Sequence, residues 1–179
     1  MNQALENILN RRSMRAYESR QIEEQMLELI LRAGLCAPTG KNRQGVIFTV
    51  LQNEKLEILG TAVRAALKSA QPPADVPDDY CCYYHAPTLI IATVDRDNPL
   101  GACDCACALE NMMLAASSLG LASCWINQVR PTCDDARVRQ LFTSYGIPEN
   151  HIAFGSVALG YADGEPRNIE IQPGRVLRP

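Results

Sequence analysis

Residues 104–126 read DCACALENMMLAASSLGLASCWI, an apolar segment followed by a short extended one. The first part is apolar on nearly every side as far as Leu119, which predicts a helix that is buried within the subunit or against a partner. Asp104 stands where an N-cap would begin this helix, and Gly120 stands where the helix would stop. Ser123 to Ile126 has the character of a short strand. Other elements must therefore cover this helix and pair with this strand.

The segments on either side alternate between helical and extended patterns. Apolar residues fall at helical spacing in segments 4–10, 22–37, 56–67 and 134–142. Strand patterns occur at 46–51, 88–94 and 152–159, and the unbroken apolar run at 88–94 is typical of a strand covered on both faces. Because helices and strands interleave, we expect a mixed α and β fold in a single domain that spans residues 1–179.

The composition excludes several classes of protein. The chain has 179 residues, of which 47% are hydrophobic and 21% charged, so it can bury a core and wholesale disorder is not expected. A net charge of −3 argues against a protein that binds duplex DNA by neutralising many phosphates. No apolar run approaches the length of a membrane span, and residues 1–6 lack the features of a signal peptide. We therefore expect a cytoplasmic protein with neither nucleic acid nor membrane as a partner.

The cysteine content is high for such a chain, with eight in 179 residues. The run Cys103-Asp104-Cys105-Ala106-Cys107 suggests a metal site, because thiolates bind zinc and iron–sulfur clusters. Its spacing differs from the paired cysteines of such sites, and on a helix only Cys103 and Cys107 would share a face. Small buried hydrophobic side chains are the favoured interpretation, and no metal is expected.

A basic cluster stands near the amino end. Arg11, Arg12 and Arg15 surround Ser13 within five residues of an otherwise acidic chain. Guanidinium groups bind phosphate in a bidentate manner, and a hydroxyl or a backbone N–H can supply a further hydrogen bond. This cluster alone is compatible with an anion site and with a solvated face at the end of a helix.

A second polar segment follows Pro38, between a predicted helix and a predicted strand. Thr39-Gly40-Lys41-Asn42-Arg43-Gln44-Gly45 carries amide side chains that can read the carbonyl and N–H edge of a flat heterocycle. Loops in this position commonly build binding sites. Taken alone, the loop is better explained as a polar connection.

The ordered set of motifs resembles the FMN-dependent nitroreductase family. In length, the chain resembles a small, minimal member of that family. The resemblance rests on Arg11-Arg12-Ser13-Met14-Arg15, on 37–44 (APTGKNRQ), on 83–91 (YYHAPTLII), on the 104–126 block, and on 158–161 (ALGY) with 174–176 (GRV). Each motif is weak by itself. Their order along nearly the whole chain is specific.

The resemblance implies a fold and an activity. The fold would be of the nitroreductase type, α+β, with a mixed, mainly antiparallel β-sheet flanked by helices. The chain would form an obligate homodimer whose C-terminal tail extends onto the partner. It would be an FMN-dependent oxidoreductase that passes a hydride from NADH or NADPH through flavin N5 to a nitroaromatic, a quinone or a similar acceptor. The alternatives are a flavin-binding or sensing protein with little turnover, and a relative of flavin-dependent reductive dehalogenases.

The resemblance also implies roles for individual residues. Arg11 and Ser13, with Arg12 beside them, would bind the FMN phosphate, and Arg15 would lie near N1 and the C2 carbonyl of the isoalloxazine. The segment that reaches the flavin from the partner comprises Pro38, Thr39, Asn42 and Gln44. The stretch along the other side of the ring comprises Trp125, Ile126, Asn127 and Gln128, with a backbone N–H directed at N5. No side chain is expected to act as a catalyst, because the cofactor carries the hydride.

Three departures from the family pattern bear on cofactor binding. His85 occupies a position that is usually glycine, and Gly45 replaces a common proline. The stretch Ile169-Glu170-Ile171-Gln172 lacks the basic pair that in the family helps to bind the phosphate. Arg175 is the tail residue that we place at the cofactor in its stead, with Arg167 as a further candidate.

Overall fold

A computed structural model describes residues 1–178 of the chain. A 3₁₀ turn at Gly40–Asn42 lies between the second helix and the first strand. The remaining elements are, in chain order, α1 (Gln3–Asn10), α2 (Glu24–Leu35), β1 (Ile47–Gln52), α3 (Asn53–Ser69), β2 (Thr88–Asp95), α4 (Gly101–Ser118), β3 (Ala122–Ile126), α5 (Val129–Thr132), α6 (Ala136–Ser144) and β4 (His151–Gly160).

The four strands form one sheet in the order β1-β2-β4-β3, and every neighbouring pair is antiparallel. Pairing between β2 and β4 shifts register between Ala92 and Thr93. β3 is an edge strand, and Ser13 forms an isolated parallel bridge to Ser123 on it. The α+β fold with an antiparallel sheet flanked by helices is therefore confirmed.

Both faces of the sheet are covered by helices. Leu89 and Ile91 of β2 point into one core with the apolar faces of α3, α5 and α6. Ile90 and Ala92 point into a second core with α2 and α4. Since successive side chains of a strand alternate between faces, the apolar run at 88–94 feeds both cores. The prediction of a strand covered on both faces is confirmed.

The start of α4 differs from the expectation. Asp104 is not its N-cap, because the helix begins three residues earlier, at Gly101, with Leu100 in the N-cap position. The side chain of Asn98 accepts a hydrogen bond from the Leu100 N–H at 3.1 Å. Asp104 is 5% exposed, and its carboxylate accepts hydrogen bonds from the Gly40 N–H and from Asn98 Nδ2. The predicted stop is confirmed: the helix ends at Ser118, and Gly120 has a φ of +76°.

One face of α4 is exposed in the single chain. Leu109, Met112 and Met113 are buried against the sheet and α2, whereas Cys103 and Cys107 are exposed. These two cysteines share a face, as predicted, but they are not the small buried side chains that we expected. Cys105, which lies two residues from each of them, is buried and has that role. All eight cysteines are free thiols, and residues 1–178 contain no group of three or more side chains placed to hold a metal ion.

The tail after β4 is exposed from Ala162 to Arg178. Large apolar side chains in it find no cover in this chain, and Ile171 and Leu177 are 80% and 88% exposed. Among residues 1–178, no helix is both long and apolar enough to cross a membrane.

Candidate functional site

The basic cluster lies along the edge of the sheet. The backbone N–H of Met14 donates to the carbonyl of Ser123 at 2.9 Å, so residues 11–15 follow the first half of β3. Ser13 itself is exposed, with its backbone bridged to Ser123. This pairing brings the arginines beside a strand that continues directly into Trp125 and Ile126.

The side chain of Arg11 is 21% exposed, and its guanidinium is incompletely paired within the described chain. Its Nε lies 3.5 Å from Oε1 of Glu110 on α4. Its Nη1 is buried and has no hydrogen-bond partner among residues 1–178. A buried donor without a partner is costly, and for a charged group a bound anion is the chemically matched partner.

Arg12, which we expect beside the phosphate-binding residues, contacts the end of α1 in this structure. Its Nη1 donates to the carbonyls of Leu9 and Arg11, at 2.7 and 2.8 Å. These carbonyls lie at the end of α1, where the helix leaves acceptors unsatisfied. Arg12 therefore completes the C-terminal end of α1.

A cavity of about 140 Å³ opens beside these residues. Arg11, Arg12, Ser117, Gly120 and Ser123 are among the residues that line it. The volume accommodates several water molecules, and hence a group of the size of a phosphate.

Arg15 lies on the other side of the same segment, against the turn that precedes β2. Its Cζ is 5.8 Å from the centroid of the Tyr84 ring. A side-chain interaction with Tyr84 contributes most to raising the pKa of Arg15, and the nearby Cys124 contributes next. Burial raises the pKa of the Cys124 thiol above its ordinary value, so this neighbour is a neutral thiol at pH 7.

The loop after Pro38 is wound tightly. Lys41, Asn42 and Gln44 have φ values of +55°, +53° and +50°, in the left-handed region. Thr39 Oγ1 accepts from the Gln44 N–H at 3.0 Å, and Gln44 Nε2 donates to Asn42 Oδ1 at 2.9 Å. The residues predicted to face a flavin are thus joined to one another. Pro38 is exposed at the start of the loop.

This loop lines a separate cavity, of about 100 Å³, with Thr39, Gln44, Phe48 and Ala108 among its walls. Asp104, near the start of α4, holds the loop, whereas Ser117, near the end of α4, lines the cavity of the basic cluster. At 1.5 Å per residue these two positions are about 20 Å apart along the helix. The single chain therefore does not bring the two predicted halves of the site together.

Trp125 and Ile126 occupy the second half of β3. Ile126 is 1% exposed, so it can offer a ligand only its backbone. Trp125 lies over Gly155 of β4, where a Cβ would come within 2.4 Å of the indole. The Gln128 side chain accepts from the Asn127 N–H at 3.1 Å and so orders the turn after β3. The stretch 125–128 continues from the strand segment that pairs with residues 13–14.

Arg175 is not brought to either cavity. It lies in the exposed tail, and the residues around both cavities come from earlier parts of the chain, up to Pro166.

Sequence reasoning missed Glu110 and Tyr84 as neighbours of the arginines, and Asp104 as the anchor of the loop. A signal existed for Glu110, because it is the one charged residue between Asp104 and Gly120 of a nearly apolar segment. No pattern in the sequence linked Tyr84 to Arg15, since the contact depends on an irregular turn.

Comparison with known proteins gives a match to one family and to three individual proteins. The sequence profile described as the Nitroreductase family matches residues 8–161. A protein of Archaeoglobus fulgidus named NADH dehydrogenase/NAD(P)H nitroreductase is 34% identical, over 99% of this chain and 98% of its own length. The NADPH-flavin oxidoreductase of Vibrio harveyi is 30% identical, over 97% of this chain and 70% of its own length. The crystal structure of a Bacteroides fragilis nitroreductase with bound FMN superposes with a TM-score of 0.94 at 43% identity, over 99% of both chains.

Proposed function

This chain belongs to the nitroreductase family of oxidoreductases, and we propose that it uses FMN to deliver a hydride from NADH or NADPH to a nitroaromatic, quinone or similar acceptor. The observation that carries the proposal is the buried, unpartnered Nη1 of Arg11 beside a phosphate-sized cavity. The FMN-bound relative from Bacteroides fragilis supports the choice of cofactor. When bound, FMN supplies the N5 atom that carries the hydride between the two substrates.

The residues around the first cavity fit the phosphate end of this cofactor. Arg11 would bind the phosphate through Nη1 while Glu110 keeps its Nε side occupied, and the exposed hydroxyl of Ser13 would add a donor. Arg12 would act from beside the site, by holding the end of α1 in place. These contacts bind and orient the cofactor and need no change of protonation.

The isoalloxazine ring would lie along β3. Trp125 and the turn Asn127–Gln128 would flank one side of the ring, with a backbone N–H directed at N5. Arg15 would face N1 and the C2 carbonyl, where a guanidinium stabilises the negative charge of the reduced ring. Arg175 would reach the phosphate only from a tail that takes another path than in the single chain.

The complete site would require a second copy of the chain. Pro38, Thr39, Asn42 and Gln44 would approach the flavin of the partner, because in their own chain they lie about 20 Å along α4 from the phosphate cavity. The exposed face of α4, the apolar face of α1 and the uncovered apolar tail supply the surface for such a dimer. We propose a homodimer in which the tail crosses onto the partner.

The test uses the purified full-length chain. Calorimetric titration should show FMN binding, and anaerobic NADH or NADPH should bleach the absorbance of the bound flavin. Turnover should follow when menadione or a nitrofuran is added. A chain that takes up no FMN would contradict the proposal, and bound flavin that neither nucleotide bleaches would contradict its nicotinamide part.

A flavin-binding protein with little turnover is the second candidate. It is favoured by the tail stretch 169–172, which has no basic residue, and by His85, whose φ of +57° departs from ordinary backbone for a residue other than glycine. Steady-state reduction of menadione separates the two candidates, because a binder that does not turn over would show none.

A further inference from the structure

Arg15 carries a charge that no carboxylate neutralises in the described part of the chain. The ion pairs among residues 1–178 involve six other cations, and none includes Arg15. Its close neighbours are the side chains of Tyr84, Cys124 and Tyr17, none of which is a carboxylate, and burial raises the pKa of both Tyr17 and Cys124. The charge of Arg15 is therefore not offset by a carboxylate of the described chain and remains available to attract an anionic ligand.

The ring of Tyr84 is the contact that fixes where this cation stands. The Arg15 Cζ lies 5.8 Å from the ring centroid, within the range over which an aromatic face attracts a guanidinium. Arg15 is otherwise exposed and lies on an extended segment, so a long side chain there would sample many rotamers without such a contact.

Tyr84 reaches this position through an unusual turn. Tyr84 and His85 have φ values of +55° and +57°, both in the left-handed region. Three hydrogen bonds hold the turn: Tyr84 N–H to the Cys81 carbonyl at 3.2 Å, His85 N–H to Cys81 Sγ at 3.2 Å, and Ala86 N–H to the Tyr83 carbonyl at 3.1 Å. Two consecutive left-handed residues that are not glycine are unfavourable, and such strain persists where the surroundings enforce it, often at functional sites.

We propose that Tyr84 is a positioning residue for Arg15, holding its guanidinium in place for the N1 and C2-carbonyl edge of the flavin. The proposal rests on the proposed function, because it assigns the Arg15 charge to a bound FMN. Tyr84 would act through Arg15, and its contribution would appear in the reduction potential of the bound flavin. Binding of the FMN phosphate, which depends on Arg11, would not change.

The experiment measures the two-electron midpoint potential of bound FMN in Tyr84→Leu, by redox titration against a reference dye. Leucine removes the aromatic face and keeps an unbranched Cβ at the left-handed position. A displaced guanidinium should weaken the preference for reduced over oxidised flavin about threefold to tenfold, which lowers the potential by about 15–30 mV. The Kd of oxidised FMN, measured by calorimetry, should remain close to that of the wild type.

Two further variants separate positioning from general damage. Tyr145→Leu removes a tyrosine from the C-terminal end of α6 and should leave the potential unchanged. In the Arg15→Gln background, Tyr84→Leu should lower the potential no further, because the residue through which it acts is gone. A Tyr84→Leu potential equal to wild type, or an equal drop with and without Arg15, would overturn the proposal. Failure of the wild type itself to bind FMN would instead overturn the proposed function.

Discussion

The backbone N–H of Gly40 donates a hydrogen bond of 2.8 Å to Oδ1 of Asp104, and this bond ties the amide-bearing loop to the first turn of α4. Asp104 is buried, and its Oδ2 accepts a longer bond, of 3.4 Å, from Asn98. One carboxylate thus fixes both the loop that would reach the partner's flavin and the helix whose exposed face would meet the partner.

Replacing this carboxylate should loosen the loop. Asp104→Ala leaves the Gly40 N–H without its partner and should lower the free energy of unfolding by about 1–3 kcal/mol. Urea denaturation measures this loss. Asp104→Asn keeps an acceptor oxygen and should lose clearly less. Equal stability of wild type and Asp104→Ala would contradict the role of this bond.

Gly155 provides a test of how β3 is seated on β4. A Cβ there would lie 2.4 Å from Cζ2 of Trp125 and 2.9 Å from Cδ1 of Leu109. Gly155→Ala should therefore destabilise the chain by about 1–3 kcal/mol through overpacking. Because Trp125 is the one tryptophan of the sequence, its fluorescence spectrum should change as well.

The matched control is Gly45→Ala, whose Cβ would meet only Val94 Cγ2, at 3.9 Å. This variant should leave both stability and fluorescence unchanged. An unperturbed Trp125 spectrum in Gly155→Ala would show that the indole does not lie over β4 as described.

Low pH should destabilise the fold at the N-terminal end of α6. Arg137 holds the pKa of the Asp135 carboxyl at about 2, below the ordinary 3.8, and Asp135 also accepts from the Arg137 backbone N–H as the N-cap of α6. A carboxylate with a lowered pKa in the folded state stabilises the fold above its unfolded pKa, and this contribution disappears as the pH falls through the folded pKa.

The free energy of unfolding should therefore fall between about pH 4 and pH 2, and Asp135→Asn should lose part of this dependence. Urea titrations across this range provide the measurement. Asp79→Asn, at an exposed position before β2, is the matched control and should retain the wild-type dependence. A dependence that is identical in wild type and Asp135→Asn would contradict the role of this cap.

Regular patterns in the sequence predicted most of the fold, and local irregularities account for the errors. The apolar run at 88–94 and the stop at Gly120 were sufficient for a strand buried on both faces and for the end of α4. The predicted start of α4 was wrong because the Asp104 side chain accepts a hydrogen bond from Gly40, more than sixty positions away. The side chain of Asn98 supports the start of the helix instead. Helix α5 was missed because it has only four residues.

The sequence was sufficient to predict two groups of site residues, but not the contacts that those residues make in the fold. Arg11 was identified from the cluster, whereas its pairing with Glu110 joins residues far apart in sequence and has no local signature. The use of Arg12 to complete α1 was equally hidden, because the same residue type serves an anion site and a helix end.

Binding of FMN should depend above all on Arg11, whose buried Nη1 has no hydrogen-bond partner among residues 1–178. Arg11→Met, with an unbranched apolar side chain, should leave the FMN-free protein at least as stable as the wild type, because it removes an unsatisfied buried donor. The same variant should bind FMN about 10- to 150-fold more weakly, the effect of losing a hydrogen bond to a charged group. Its affinity for riboflavin, which has no phosphate, should not change.

The decisive measurement is the calorimetric Kd of FMN for wild type and Arg11→Met, with Arg32→Met as the control at an exposed arginine of α2. The expected result is a loss of FMN affinity confined to Arg11→Met, with thermal stability retained. Equal FMN affinity in all three proteins, or a wild type that binds no FMN, would contradict it.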